Sequence, residues 1–195
     1  IVAADCTGHG VPGAFMSMLG IAFLNEIVNK EGVVEPHAIL DRLRQQIINQ
    51  LHQRGEEGES KDGMDVSLYV INHKTMKLQF AGAYNPLYII RNNELSQLKA
   101  DRMPIGYHIK KDTPFKLQEM DLQKGDCLYN SSDGYPDQFG GADGRKFMSK
   151  KFKELLVEIH KEPMARQREI LDTTIDEWRG DIEQIDDIIV IGIRV

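Results

Sequence analysis

The stretch that most constrains this chain is Asp5-Cys6-Thr7-Gly8-His9-Gly10-Val11-Pro12-Gly13-Ala14, which follows the apolar residues 1–4. Residues 1–4 read as a strand, and the acid stands where that strand runs into a glycine-rich turn. Glycine supplies backbone conformations closed to other residues, and Pro12 suits the first turn of a helix, which needs no amide donor. A turn with so little bulk lets a metal ion or a phosphate reach the backbone. Two more acids occupy comparable places. Asp133 follows the expected strand 127–129 in Ser131-Ser132-Asp133-Gly134, and Asp186-Asp187 precede the apolar run 188–195. Three strand-end carboxylates, far apart in sequence, point to one shared site.

Carboxylates, backbone carbonyls and water are the ligands that hard divalent cations such as Mg²⁺ and Mn²⁺ favour. Two such ions about 3.5–4 Å apart lower the pKa of a water and clamp a phosphoryl oxygen. Taken singly, each acid has a plainer reading: Asp5 as a helix cap, Asp133 as part of an Asp-Gly turn, Asp186 and Asp187 as solvated turn acids.

At 195 residues and 41% hydrophobic content the chain can build a sizeable core, and residues 1–195 read as a single globular domain. A net charge of -6 with dispersed basic residues argues against a nucleic-acid partner. Cys6 and Cys127 show no CxxC spacing, so neither a disulfide framework nor a zinc knuckle is indicated, and a cytoplasmic location is expected. The other histidines, His37, His52, His73, His108 and His160, form no metal-binding pattern. No unbroken run of 18 apolar residues occurs, so no membrane segment is expected here, although a longer parent chain has room for an anchor elsewhere. That parent is itself an expectation, because the sequence opens inside a strand and without Met.

Phe15, Met18, Leu19, Ala22, Phe23 and Ile27 recur at helical spacing over residues 14–30, and Leu40, Leu43, Ile47 and Leu51 do so after Pro36. These predict two helices joined around Gly32. The charged, glycine-bearing residues 54–63 predict an exposed loop. The period then changes: Val66, Leu68 and Val70 alternate with polar or aromatic neighbours, and after Asn72-His73-Lys74-Thr75 so do Met76, Leu78 and Phe80. This predicts a hairpin. A second hairpin is expected around Asn92-Asn93, with further strands at 115–122 and 127–129. Helical spacing returns at Phe152, Leu155, Leu156 and Ile159 and at Met164, Leu171, Ile175 and Trp178, before a final strand at 188–195. Segregated helices and antiparallel hairpins mean an α+β fold.

With these segments in order, the chain resembles the PPM metal-dependent Ser/Thr protein phosphatases (protein phosphatase type 2C), and in particular their bacterial SpoIIE-like branch. The resemblance rests on the run from Ala4 to Ala14, on Ala81-Gly82-Ala83-Tyr84-Asn85-Pro86-Leu87, on Met103-Pro104-Ile105-Gly106, on Ser132-Asp133-Gly134-Tyr135-Pro136-Asp137-Gln138-Phe139, and on Asp186-Asp187. It implies two antiparallel β-sheets sandwiched between helical layers, in an SpoIIE-like domain lacking its N-terminal strands. It also implies a binuclear Mn²⁺ or Mg²⁺ centre that activates water against phosphoserine or phosphothreonine on a partner protein. In this branch the partner is commonly an anti-sigma-factor antagonist, and a sensor or regulatory domain is expected upstream. By the resemblance Asp5 bridges the two metals, the Cys6 backbone carbonyl ligates one of them, and Asp133 and Asp186 complete the other's shell. Asp187 reads as a solvated or supporting acid.

Several residues stand outside this core reading. Eukaryotic relatives place a candidate general-acid His two residues after the bridging Asp, whereas His9 lies four after Asp5. Its expected role is contact with backbone or solvent. Asp62, at a strand entrance where some relatives hold a looser third metal, reads as a turn acid, as does Asp137. Ile189 replaces the Thr or Ser common after the final acid pair. A further family acid, in a Gly-Asp-aromatic segment, has no counterpart in these residues, so weak metal binding and low turnover are expected of them alone. The competing reading is a noncatalytic pseudophosphatase signalling module. A nucleotide-binding loop at Gly8-x-Gly10-x-x-Gly13 is disfavoured, because no Lys-Ser/Thr pair follows.

Overall fold

A computed structural model describes residues 1–8, 10–56, 59 and 62–195. They form two compact units, Ile1–Pro86 with Leu98–Leu122 and Leu87–Gln97 with Gln123–Val195.

The first unit carries a four-stranded antiparallel sheet in the order β1-β2-β3-β6, made of Val2–Cys6, Met64–Asn72, Lys77–Ala83 and Gln118–Asp121. Register places Val66 and Leu68 opposite Ala83 and Ala81. These four enter one core with Leu40, Leu43 and Ile47 of helix α2 (Pro36–Gln50). The small alanines leave room for α2 to approach β3. Asn72 Oδ1 closes the hairpin turn by accepting from the Lys74 and Thr75 amides at 3.0 and 3.2 Å.

Helix α1 (Gly10–Asn25) starts earlier than the periodicity predicts and continues as a π-helical turn, Glu26–Lys30. Met16, Gly20 and Ile27 are buried, whereas Val11, Phe15, Met18 and Ile21 are exposed. Gly20 permits close contact with β2, since a Cβ there would lie 2.9 Å from Met64 Sδ. Gly10–Lys30 contains an 18-residue stretch of mean hydropathy 1.5 and is long and apolar enough to cross a membrane by length and composition alone. Ser17, Asn25 and Glu26 interrupt its apolar run, which is why the sequence criterion passed over it. A core helix satisfies the same criterion, and this one packs Met16 and Ile27 into the first unit's core.

Several strand boundaries differ from expectation. The segment 115–122 forms a strand only over Gln118–Asp121. The Phe115 and Lys116 amides donate instead to the carboxylates of Asp41 and Asp101, at 3.1 and 2.8 Å, so they are not available to a ladder. The Arg44 guanidinium lies over the Phe115 ring, 4.6 Å from its centroid.

The second unit carries the sheet β10-β7-β4-β5, made of Val190–Arg194, Cys127–Ser131, Leu87–Arg91 and Glu94–Leu98. Beside it lie a short helix α3 (Gly134–Asp137), a hairpin of β8 (Phe139–Gly140) and β9 (Arg145–Lys146), and helices α4 (Ser149–Ile159) and α5 (Met164–Arg179). Tyr88, Tyr135, Phe147, Phe152 and Leu171 are buried together in its core. Edge-on pairs of Phe147 with Tyr135 and Trp178, at centroid distances of 5.3 and 5.4 Å, tie the hairpin to α3 and α5. Such pairs contribute about 0.5–1.5 kcal/mol each beyond their area. The final strand begins two residues later than expected, because the Ile189 amide donates to Ser132 Oγ at 3.0 Å.

Candidate metal centre

Asp5 and Cys6 lie within β1, not on the turn beyond it as the sequence reading had them. Pairing with β2 sets Asp5 opposite Asp65 and Cys6 opposite Met64. Thr7 then fastens the chain as it leaves the sheet. Its amide and its Oγ1 both donate to the Gly63 carbonyl, at 3.0 and 2.8 Å, and the Gly63 amide donates back to Oγ1 at 2.7 Å. Gly8 follows at φ +85°, a left-handed conformation that favours glycine. A Cβ on Gly13 would fall 2.5 Å from the Gly8 carbonyl oxygen, so the first helical turn approaches this loop closely.

Asp133 follows β7 and leads into α3, where the Asp137 amide donates to the Asp133 carbonyl at 3.0 Å. The turn bearing Asp186 and Asp187 is fixed against it. Ser132 Oγ donates to the Asp187 carbonyl at 2.9 Å, and the Ser132 amide donates to the Ile189 carbonyl at 3.0 Å. A Cβ on Gly134 would lie 2.4 Å from the Asp187 carbonyl oxygen. Within the turn, Asp186 Oδ1 accepts from the Asp187 amide at 2.8 Å, and Gln184 Nε2 donates to the Asp186 carbonyl at 2.8 Å.

Within the second unit, one carboxylate oxygen of Asp133 and one of Asp186 lie within 4.8 Å of each other. Both residues are exposed, and Asp5 of the first unit is half-buried. With bonds of about 2.0–2.1 Å, two ligands on one Mg²⁺ stand at most about 4.2 Å apart, so this spacing suits two oxygen donors on one small cation after slight adjustment. The donor set is all carboxylate, which matches a hard ion.

Asp187 meets Ser132 through its carbonyl. Asp62 is half-buried, and its carbonyl accepts from Gln53 Nε2 at 2.6 Å. Asp137 pairs with Lys146 at 2.8 Å. His9 lies outside the described residues. Sequence reasoning missed Thr7 as a fastener of the first loop and Ser132 as a fastener of the last. Their partners lie 56 and 55 residues away, and a lone hydroxyl carries no periodic signal.

A family model described as Stage II sporulation protein E (SpoIIE) matches residues 1–195. Among solved structures, the SiaA-PP2C domain of Pseudomonas aeruginosa is 33% identical and superposes with a TM-score of 0.88, over 100% of this chain and 74% of that one. The PP2C phosphatase domain of SpoIIE from Bacillus subtilis, solved with a fragment of its regulatory domain, has a TM-score of 0.67 at 20% identity, over 99% of this chain and 52% of that one. The catalytic domain of the serine/threonine protein phosphatase PstP, solved with two manganese ions, has a TM-score of 0.65 at 18% identity, over 98% of this chain and 85% of that one. No curated protein sequence matches this chain.

Proposed function

The chain belongs to the SpoIIE family of PP2C-like phosphatase domains, and we propose from that premise that it is a metal-dependent protein serine/threonine phosphatase of bacterial signalling. The observation that carries this reading is the family match over residues 1–195, together with Asp133 and Asp186 of the second unit, whose carboxylate oxygens lie within 4.8 Å of each other. In this reading Asp5, Asp133, Asp186 and the Cys6 carbonyl hold two Mn²⁺ or Mg²⁺ ions. When bound, such ions activate water and neutralise phosphoryl oxygens.

The chain's own residues then have definite tasks. Asp5 is held on a paired strand and fixed beyond its end by Thr7, so it keeps its direction without a rigid turn. Ser132 keeps the turn of Asp186 at a set distance from Asp133. Oxygens fixed in advance favour metal binding, because less motion is lost when the ion arrives. The manganese recorded with PstP supports a divalent metal, and the regulatory fragment solved with SpoIIE supports an upstream regulatory domain. A phosphorylated antagonist of an anti-sigma factor is the substrate class proposed, and the two free cysteines suit a cytoplasmic setting.

Manganese-dependent release of phosphate from p-nitrophenyl phosphate and from a phosphoserine peptide by the full-length protein tests this reading. Metal-dependent release supports it. A protein that binds manganese and phosphopeptide yet releases nothing is instead a noncatalytic signalling module.

A further inference from the structure

The β8–β9 hairpin places a lysine beside the Asp133 turn. Register sets Lys146 opposite Phe139, and its Nζ donates to Asp137 Oδ2 at 2.8 Å. Asp137 is itself bound to the Asp133 carbonyl through its amide, so the ammonium is tethered one helical turn from the Asp133 side chain. The hydrogen bond and charge of Asp137, with a smaller contribution from Asp133, hold the Lys146 ammonium above the usual lysine range. Lys146 is thus tethered through Asp137 to the turn that carries the proposed metal ligand.

The hairpin is well fixed. The Phe147 amide donates to the Gln138 carbonyl at 2.9 Å, and the Met148 amide donates to the Pro136 carbonyl at 2.7 Å. Trp178 Nε1 also donates to the Gln138 carbonyl, at 3.1 Å, and the Gly141 amide donates to the Trp178 carbonyl at 2.7 Å. Neighbouring cations are engaged elsewhere. Lys151 sits over the Trp178 ring at 3.7 Å, and Arg145 pairs with Asp143 at 3.7 Å.

A stabilising role alone accounts poorly for this lysine. The pair is 42% and 40% exposed, and exposed pairs contribute little to folding. An ammonium has three donors, and Asp137 takes one. Two remain for oxygens approaching the Asp133 turn.

We propose that Lys146 binds the phosphoryl group of the substrate, donating to a phosphate oxygen while Asp137 holds its ammonium in place. This rests on the phosphatase reading above and adds to it a substrate-binding cation outside the carboxylate group. Lysine serves phosphate as a point charge, so arginine substitutes in charge and partly in geometry.

The test compares full-length wild type, Lys146→Gln and Lys146→Arg at saturating manganese. Loss of one charge-assisted hydrogen bond predicts that Lys146→Gln raises KM for a phosphoserine peptide about tenfold, with kcat within about twofold, while Lys146→Arg stays near wild type. In a second measurement, peptide affinity is read by fluorescence anisotropy in manganese-free buffer. There Lys146→Gln should reduce the preference for phosphorylated over unphosphorylated peptide by about tenfold. Wild-type KM and wild-type phosphopeptide preference in Lys146→Gln would overturn the proposal, as would an Lys146→Arg variant as defective as Lys146→Gln. If wild type binds manganese but releases no phosphate, the phosphatase reading falls, and the anisotropy comparison still decides the role of Lys146.

Discussion

Ser132 grips Asp187 by its backbone: Ser132 Oγ donates to the Asp187 carbonyl at 2.9 Å while accepting from the Ile189 amide at 3.0 Å. One buried hydroxyl thus spans the turn that carries Asp186 and ties it to the residue before Asp133. The carboxylates differ from their support in one respect, since the support is uncharged and needs no metal to form.

Ser132→Ala removes both bonds at once. Residues that orient metal ligands typically cost 10–100-fold in affinity when lost, so manganese affinity should fall by about tenfold or more. Calorimetric titration of the folded variant checks this, and an unchanged affinity would remove Ser132 from the account.

Much of the candidate site was legible in the sequence because glycine and acid clusters at strand ends are local signals. Asp5, Asp133 and Asp186 are candidates on that ground. The position of Asp5 inside β1 was not legible, since it depends on pairing with Asp65, sixty residues on. The hairpin that carries Lys146 was missed for a different reason: strands of two residues are too short to show a period. The loop at Phe115 looked like a strand by composition, and only its amide bonds to Asp41 and Asp101 reveal otherwise. The helices were the easiest to read, because a long apolar stripe repeats its own evidence at each turn.

Tyr69 is buried at 0% exposure in β2, and its hydroxyl has no hydrogen-bond partner among the described residues. Burial pushes its pKa up to about 12. An unsatisfied buried hydroxyl costs free energy, so Tyr69→Phe should stabilise the fold by about 1 kcal/mol near neutral pH. The sign of the pH effect follows from linkage. The unfolded tyrosine loses its proton near pH 10 and the folded one only near 12, so wild type loses stability as pH rises through that window. The variant should lack this share of the loss. Chemical denaturation at neutral pH and above pH 10 measures both effects.

Asp126 is 1% exposed and takes two bonds from Arg91, Nε to Oδ1 at 2.8 Å and Nη2 to Oδ2 at 2.6 Å. Burial alone raises its pKa, but the Arg91 bonds, the Gln123 amide and the Arg91 charge outweigh it and leave the carboxyl below its usual value. A depressed carboxyl stabilises the fold above its unfolded pKa of about 3.9, and that stabilisation is lost as pH falls through the lower folded value. Asp126→Asn should therefore cost about 2 kcal/mol at pH 7 and progressively less below about pH 4. Urea denaturation across that range tests it; a cost independent of pH would show that packing, not charge, dominates.

The central claim is that Asp5, Asp133 and Asp186 serve one metal-dependent reaction. Its most direct test is manganese-dependent phosphate release from a phosphoserine peptide by the full-length protein and by its Asp5→Asn, Asp133→Asn and Cys6→Ser variants. The account predicts that either acid substitution lowers kcat/KM by at least about 100-fold, with loss of about 3 kcal/mol or more of transition-state stabilisation. Cys6→Ser should be mild, because only its carbonyl is assigned a role, and no phosphorylated protein should accumulate. Full phosphate release by Asp5→Asn or Asp133→Asn, or a trapped phosphoenzyme at Cys6, would contradict it.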